Sequence, residues 1–270
     1  MTDIRERYGD WAIVAGSAIG LGKAFCEELA RHGMNLVMVD NNEEKLSEVS
    51  ATLEGEYHIK TIPVYQDLFQ EDSVGQIMKV IKNLEVRLLL YVAAYSKIKK
   101  FENYTTFDFD HFLHINVSTP LKLVQAFSQR LIEKKLSGGI LLMSSLAGLL
   151  GMQYIVPYAA SKAFTWNLAE SLNHEFKPYG IDVMTCIAGA MATEAYLGTN
   201  PQYGIIKPQV QQPEEVAKKT LRKLGKQAIY MPGFSNRFNY FILTRILPRK
   251  WASSIANKTM SKMYAKNVVN

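Results

Sequence analysis

Trp11-Ala-Ile-Val-Ala-Gly16-Ser-Ala-Ile-Gly20-Leu-Gly22 decides the fold of this chain. Five apolar residues, Trp11 to Ala15, read as a short buried strand. The glycines at 16, 20 and 22 then carry the spacing of a dinucleotide-binding turn, and a helical pattern follows over Lys23 to His32. Glycines let the backbone turn tightly and approach a pyrophosphate, which the N-terminus of the next helix favours electrostatically. Glycine spacing alone is a weak signal; its place between a strand and a helix gives it weight.

Outward from this turn the alternation continues. A second strand, Asn35 to Val39, ends in Asp40, about twenty residues past the glycines. Helix Glu43–Leu53, strand Ile59–Tyr65, helix Glu71–Asn83 and strand Arg87–Ala93 come next. A helix from Phe107 to Lys135 is interrupted near Asn116 and Pro120. Later come a strand at Ile140–Met143, a helix from Pro157 to Phe176 and a strand at Ile181–Ile187. A loop to Lys207, a helix at Pro213–Gly225 and a strand at Ala228–Met231 complete the series. Strands alternating with helices at this spacing predict a parallel sheet covered on both faces, a doubly wound α/β fold.

The chemistry is concentrated in I-L-L-M-S-S-L-A-G-L-L-G-M-Q-Y-I-V-P-Y-A-A-S-K-A, Ile140 to Ala163. No charge falls between Leu136 and Ser161, a length that suggests a membrane span. Ser144, Ser145, Gly148, Gly151, Gln153 and Pro157 instead fit a buried strand, a polar loop and a helix start. On that helix Tyr158 and Lys162 are four apart and share a face. A nearby ammonium favours the phenolate, as proton exchange with an alcohol or carbonyl near neutral pH requires. Ser145, at the end of the strand, is placed to hold the same oxygen. By itself Y-x-x-x-K is better read as an ordinary helix-surface pair, so the reading depends on the cofactor turn.

Composition sets the bounds. The 270 residues, 48% hydrophobic, supply one large core. The expected organisation is a single domain over 1–234 with an extension over 235–270. The charged start, M-T-D-I-R-E-R-Y-G-D-W, lacks the apolar run of a secretory signal. Cys26 and Cys186 have no metal-ligand spacing and read as reduced core thiols, so a cytoplasmic location is expected and no metal. The net charge of +6 conceals a division: no acidic residue follows Glu215, while residues 216–270 hold twelve Lys and Arg. The preceding body is net acidic.

With these motifs together, the chain resembles the short-chain dehydrogenase/reductase family in its roughly 250-residue form, over residues 11 to about 233. The matching positions are G-S-A-I-G-L-G from Gly16, Asp40, Asp67, H-I-N-V from His114, S-S-L-A-G from Ser144 and Y-A-A-S-K from Tyr158. The resemblance implies a Rossmann fold with a seven-stranded parallel sheet of order 3-2-1-4-5-6-7 and a C-terminal helical extension. It implies Tyr158 as acid/base and Ser145 orienting the substrate oxygen. Lys162 would bind the nicotinamide ribose, and Asn116 would kink its helix and hold a water relaying protons to Lys162. Gly16, Ser17, Ile19, Gly20 and Leu21 would form the cofactor turn, Asp67 and Leu68 would lie by the adenine, and Ala93, Met191 and Thr193 would lie along the cofactor. Asp40 would take the ribose hydroxyls and repel a 2′-phosphate. Neither Ile19 nor Asn41 offers a cation for that phosphate, so the expected cofactor is NAD.

Three positions depart from the family pattern. Ala15 replaces a threonine, Val92-Ala93-Ala94-Tyr95 replaces N-N-A-G, and Ala188 replaces a proline. No catalytic group is lost.

The substrate cleft is expected to involve Tyr95, Leu146, Met152, Tyr154, Ala190 and a loop from Met191 to Lys207 carrying Tyr196, Leu197, Tyr203 and Ile205. This lining is apolar and has no Arg, which favours an apolar ketone or secondary alcohol. Bacterial hydroxysteroid dehydrogenases are the nearest resemblance. A 3-oxoacyl thioester reductase and a non-catalytic nucleotide binder are the alternatives, the latter disfavoured by the intact Asn116, Ser145, Tyr158 and Lys162. A homodimer or homotetramer is expected through the helices Thr119–Lys135 and Pro157–Phe176, with Phe127, Leu131, Phe164 and Trp166 on their outer faces. In the tail, Phe238, Phe241, Ile242, Leu247, Trp251 and Ile255 recur at helical spacing, and Pro248 divides two helices. The favoured reading packs this apolar face on the body or a second subunit. Membrane-surface attachment comes second, and nucleic acid is the weakest reading because no binding motif accompanies the charge.

Overall fold

Strand β1, Trp11–Ala15, is the centre of the sheet because its side chains are buried on both faces. It pairs in parallel with β2 (Asn35–Asp40) on one side and β4 (Val86–Tyr91) on the other. The computed structural model describes residues 4–203, 208–265 and 267–268, and adds β3 (Thr61–Tyr65), β5 (Gly138–Ser145), β6 (Ile181–Ala188) and the two-residue β7 (Ile229–Tyr230). All seven strands are parallel in the order 3-2-1-4-5-6-7, as the sequence predicts.

Alternation along the strands divides the core in two. Ala12, Val14, Leu36, Met38, Leu88 and Leu90 face one layer. Their neighbours Ile13, Ala15, Val37, Val39, Leu89 and Tyr91 face the other. The first layer is covered by α2 (Gly20–Arg31), α3 (Glu43–Tyr57) and α9 (Pro213–Leu221). The second is covered by α4 (Ser73–Val80), α6 (Thr119–Glu133) and α7 (Val156–Glu175). A short α1, Ile4–Tyr8, closes the amino-terminal edge through Tyr8 and Arg7, each 2.8 Å from Asp182. The free thiols of Cys26 and Cys186 lie in the core, where burial pushes both pKa values up.

Between α5 (Thr106–Leu113) and α6 the helix widens into a π-turn over His114–Ser118. The expected interruption near Asn116 is thus a local insertion in a continuous helical run. Asn116 itself is buried within the turn.

The tail forms α10 (Phe234–Phe241), a π-turn (Ile242–Ile246) and, past Pro248, α11 (Arg249–Tyr264). It packs beside the carboxyl ends of the strands. Ala252 and Ala256 meet Leu149 and Leu150, with Tyr240, Leu243, Leu247 and Trp166 around them. Met260, Tyr264 and Val268 meet Ile155. Hydrogen bonds fix this docking: Asn257 Oδ1 accepts from Gln153 N at 2.8 Å, and Asn257 Nδ2 donates to Gly151 O at 2.9 Å.

Two sequence expectations are corrected here. The tail does pack on its own body, but Phe238, Phe241, Trp251 and Ile255 face outward. The inner positions are taken by a different stripe, Ala252, Ala256, Met260 and Tyr264, spaced four apart. Phe127 and Leu131 are wholly buried in the second core layer and do not lie on an outer face. Trp166 is covered by the tail, its ring 5.9 Å from that of Tyr240.

Candidate active site

The carboxyl ends of β1, β2, β4, β5 and β6 present Ala15, Asp40, Tyr91, Ser145 and Ala188 along one edge of the sheet, where an α/β fold binds ligands. The glycine turn lies there. Gly16 has φ +85°, and a Cβ on it would stand 2.6 Å from Ala93 N. A Cβ on Gly22 would stand 1.6 Å from Gly16 O, so only glycine permits this close folding. Asp40 accepts from Ala18 N at 2.9 Å and Asn42 N at 3.1 Å, one bond to each oxygen. Its carboxylate retains acceptor capacity for a ribose diol. The side chain that caps α3 is that of Asn42, which accepts from Lys45 N at 3.0 Å.

The other expected cofactor residues lie around this turn. Ser17 is buried and donates to Val39 O, Leu21 is buried, and Ile19 and Asn41 are exposed. Asp67 caps the turn after β3 by accepting from Phe69 N at 2.9 Å. The Leu68 side chain belongs to the core, while its carbonyl accepts from Thr119 at 2.8 Å. Thr193 approaches Gly20, its methyl group 3.2 Å from where a Cβ would be, so the 190–193 segment crosses the glycine turn. Met191 bridges to Gln211, and Ala190 O accepts from Gln211 N at 2.9 Å. This cradle, with glycines that admit no side chain and a carboxylate beside it, fits a nicotinamide dinucleotide.

On the other side of the edge are the polar groups. Burial raises the Tyr158 pKa above the ordinary phenol value, while the Ser145 hydroxyl opposes the rise. Lys162 is buried under Tyr158, Nζ 5.5 Å from the ring centroid and donating to Met143 O at 2.9 Å. Desolvation lowers its pKa to about 8. This differs from the simple sequence argument: burial, rather than an ammonium-stabilised phenolate, dominates Tyr158 in the protein alone. A cavity of about 10 Å³ lies among Asn116, Lys162, Met143 and Thr165, about the space of one water.

Asn116 grips the loop after β4. Its Oδ1 accepts from Tyr95 N at 2.7 Å, and its Nδ2 donates to Tyr95 O at 2.8 Å and to Ser161 Oγ at 3.1 Å. Tyr95 donates to Asp108 at 2.8 Å, and its ring meets those of His111 and Phe112. Lys99 Nζ lies 2.6 Å from the same buried Asp108, chiefly by which the Asp108 pKa is held low. The Tyr95 ring is therefore bound to α5, and the apolar group around Tyr158 does not include it.

That group contains Ile155, Met260 and Tyr264, with Ile98, Ala147, Met152, Tyr154 and Met263 packed against them. Met152 and Tyr154 pack against the same apolar group as Tyr158. Tyr196, on the short α8 (Glu194–Leu197), stands further out, its hydroxyl 2.9 Å from that of Tyr203, while Thr199 Oγ1 is 3.2 Å from the Tyr264 hydroxyl. The tail also secures this loop through Gln202 N to Met263 O at 2.9 Å and Asn267 to Thr199 O at 2.9 Å. Ile205 and Lys207 lie outside the described residues. Sequence reasoning missed Ile98, Asp108, Met260, Met263 and Tyr264. The T-T-F-D capping box was the legible sign of Asp108, since Thr105 and Asp108 cap α5 reciprocally. No local pattern signals that Met260 and Tyr264, a hundred residues on, return to Tyr158.

Glycine cradle, acidic end of β2 and Tyr-Lys-Ser group together define a nicotinamide-dependent oxidoreductase of the doubly wound type. Residues 10–204 match the short chain dehydrogenase family model, and the chain belongs to that family. A 7beta-hydroxysteroid dehydrogenase of Mediterraneibacter gnavus is 31% identical over 237 residues, covering 87% of this chain and 90% of that protein. Human very-long-chain 3-oxoacyl-CoA reductase is 27% identical over 266 residues, covering 97% of this chain and 79% of that protein. A solved structure from work on 7beta-hydroxysteroid dehydrogenase stereoselectivity superposes with a TM-score of 0.86 at 27% identity, covering 94% of this chain and 99% of that one. A short-chain dehydrogenase of Sphingobium yanoikuyae in complex with NADPH shares the fold at a TM-score of 0.77 and 21% identity, covering 86% of this chain and 91% of that one.

Proposed function

We propose that this short-chain dehydrogenase transfers a hydride between NAD(H) and an apolar ketone or secondary alcohol, a hydroxysteroid first among them. The observation that carries the reading is Tyr158, with Lys162 beneath its ring, packed against the apolar group of Ile155, Met260 and Tyr264. The bound nicotinamide supplies or accepts the hydride. Tyr158 gives its proton to the carbonyl oxygen, and Ser145 donates a hydrogen bond to that oxygen as negative charge develops on it. A raised phenol pKa keeps the proton in place at neutral pH, which suits ketone reduction. Lys162, lowered to about 8, exchanges protons near neutrality and so can reload Tyr158, itself being supplied through the small cavity it shares with Asn116. Alcohol oxidation requires the phenolate and accelerates as pH rises; ketone reduction slows over the same interval.

Asp40, with no cation at Ile19 or Asn41 to hold a 2′-phosphate, supports NAD over NADP. Catalytic efficiency with NADH should exceed that with NADPH at least tenfold, roughly 1.4 kcal/mol of discrimination. Asp40→Ala with Asn41→Arg should move the preference toward NADPH. Equal efficiencies in the wild type would remove NAD from this reading. Location in the cytoplasm and assembly as a homodimer or homotetramer belong to the same proposal.

The second reading, reduction of 3-oxoacyl thioesters, is favoured by one observation. Human very-long-chain 3-oxoacyl-CoA reductase aligns over 97% of the chain, a span that must enter the tail. The exposed Lys97, 5.7 Å from the Tyr95 ring centroid, would then meet an anionic carrier. Steroid ketones, acyl thioesters and simple ketones, each followed at the nicotinamide absorbance, separate the two. Preference for the thioester would overturn the steroid assignment and leave the mechanism standing.

A further inference from the structure

The two tail helices carry apolar residues on two sides, and the inner side packs on the body. Along α10 the outward residues are Phe234, Phe238, Phe241 and then Arg245, spaced four, three and four apart. Along α11 they are Trp251, Ile255, Lys258 and Lys262, with the same spacing. Phe234 is 76% exposed, Trp251 62% and Phe238 54%, and the Phe234 and Phe238 rings stack on each other. Scattered exposed apolar residues are ordinary; a continuous stripe along two consecutive helices is not.

The charge on this face is of one sign. Arg245, Arg249, Lys250, Lys258 and Lys262 are exposed, and none forms an ion pair with a described residue. The chain has no carboxylate side chain after Glu215 to neutralise them from within the tail. An open groove of about 830 Å³ continues the face between α9 and α10, with Lys223, Arg237, Phe234 and Phe241 on its walls.

We propose that this outer face docks on an anionic lipid surface. The aromatic and aliphatic side chains enter the headgroup boundary, and the cations meet lipid phosphates at the same depth. Each Lys or Arg held near such a surface adds to the attraction. Self-pairing of this face across a two-fold axis would bring these cations against one another, so a second copy on the same patch is disfavoured. No helix of the described residues is long and apolar enough to cross a membrane, so the attachment is interfacial. The inner face of the same hairpin lines the apolar group at Tyr158, which puts the site beside a phase that dissolves apolar ketones.

Flotation of the full chain with phosphatidylcholine vesicles, with and without phosphatidylglycerol, tests the proposal. Binding should require phosphatidylglycerol and fall at least about tenfold as salt is raised from low to molar, since exposed charges are then screened. Phe238→Ser combined with Trp251→Ser should lower vesicle binding by at least about tenfold, the loss of roughly two buried apolar side chains. Both residues lie outside the site, so thermal midpoint and activity in solution should hold. Arg249→Gln with Lys250→Gln and Lys258→Gln gives an independent variant should the first fail to fold. Absence of binding to phosphatidylglycerol vesicles at low salt overturns the proposal, as does binding indifferent to both variants. A dimer that dissociates in the Phe238/Trp251 variant, with no vesicle binding by wild type, assigns the face to a second copy.

Discussion

Lys162 shows how a residue can serve function against stability. Its ammonium is buried, donates a hydrogen bond to the Met143 carbonyl, and has a pKa of about 8 in place of 10.5. A depressed lysine pKa means that the folded state binds its proton less well than the unfolded state does. The cost is complete below about pH 8 and is relieved as pH rises toward 10.5. At 1.36 kcal/mol per unit this is about 3 kcal/mol. Lys162→Met, which keeps most of the volume, should therefore raise the thermal midpoint at neutral pH and flatten the rise of stability above pH 8. Turnover should collapse in the same variant. A lower midpoint at pH 7 would show that Lys162 stabilises the fold. Tyr158→Phe separates chemistry from binding: it removes the proton carrier, so kcat should fall by roughly 10²-fold or more while NADH affinity holds. Wild-type turnover in that variant would reject the acid/base assignment.

At the scale of elements, what was legible followed from local periodicity. Runs such as Asn35–Asp40 and Val86–Tyr91 alternate between the two core layers, and their order along the chain dictates the sheet. The helix break at Asn116 was legible too, although not its form as a π-turn. Outward and inward faces were less so. Helix α6 and the tail hairpin carry apolar residues on more than one side, and periodicity cannot say which side meets the body. Phe127 was therefore expected outside and Phe238 inside, the reverse of what is found. The anchoring of Tyr95 was hidden for a related reason, because its ring is held by Asp108 and Phe112 on α5, which no spacing near Tyr95 reveals. The glycine turn is the opposite case, since its geometry is local. Gly22→Ala would set a methyl group 1.6 Å from Gly16 O and force the turn open. The expected result is loss of measurable NADH binding, with a lowered thermal midpoint, read by nicotinamide fluorescence and calorimetry. An alanine variant that binds NADH normally would contradict the turn as the cofactor cradle.

Over the whole molecule, charge and contacts divide the chain differently. By charge, the acidic body ends at Glu215 and the basic segment begins. By contact, the tail belongs with the candidate site, because Met260, Met263 and Tyr264 stand in the same apolar group as Tyr158. Asn257 holds α11 to the 151–153 loop, and Asn267 holds the end of the tail to Thr199 and Asn200. Among the described residues, the glycine turn, Asp40 and Asp67 make none of their hydrogen bonds to the tail. Truncation after Phe234 should therefore affect the two halves of the site unequally. NADH affinity should stay within a few-fold of wild type, since each lost contact there would cost a factor of ten per 1.4 kcal/mol. The KM for an apolar ketone should rise at least about tenfold, because burial of even one large side chain against the substrate is worth about 1.5–3 kcal/mol. Exposure of Leu149, Leu150 and Ile155 should also promote aggregation. Asn257→Ala keeps the tail and removes the side-chain hydrogen bonds to Gln153 N and Gly151 O; it should raise KM in the same direction with a smaller effect and without aggregation. Unchanged ketone KM in both variants would show that the cleft is complete without the tail.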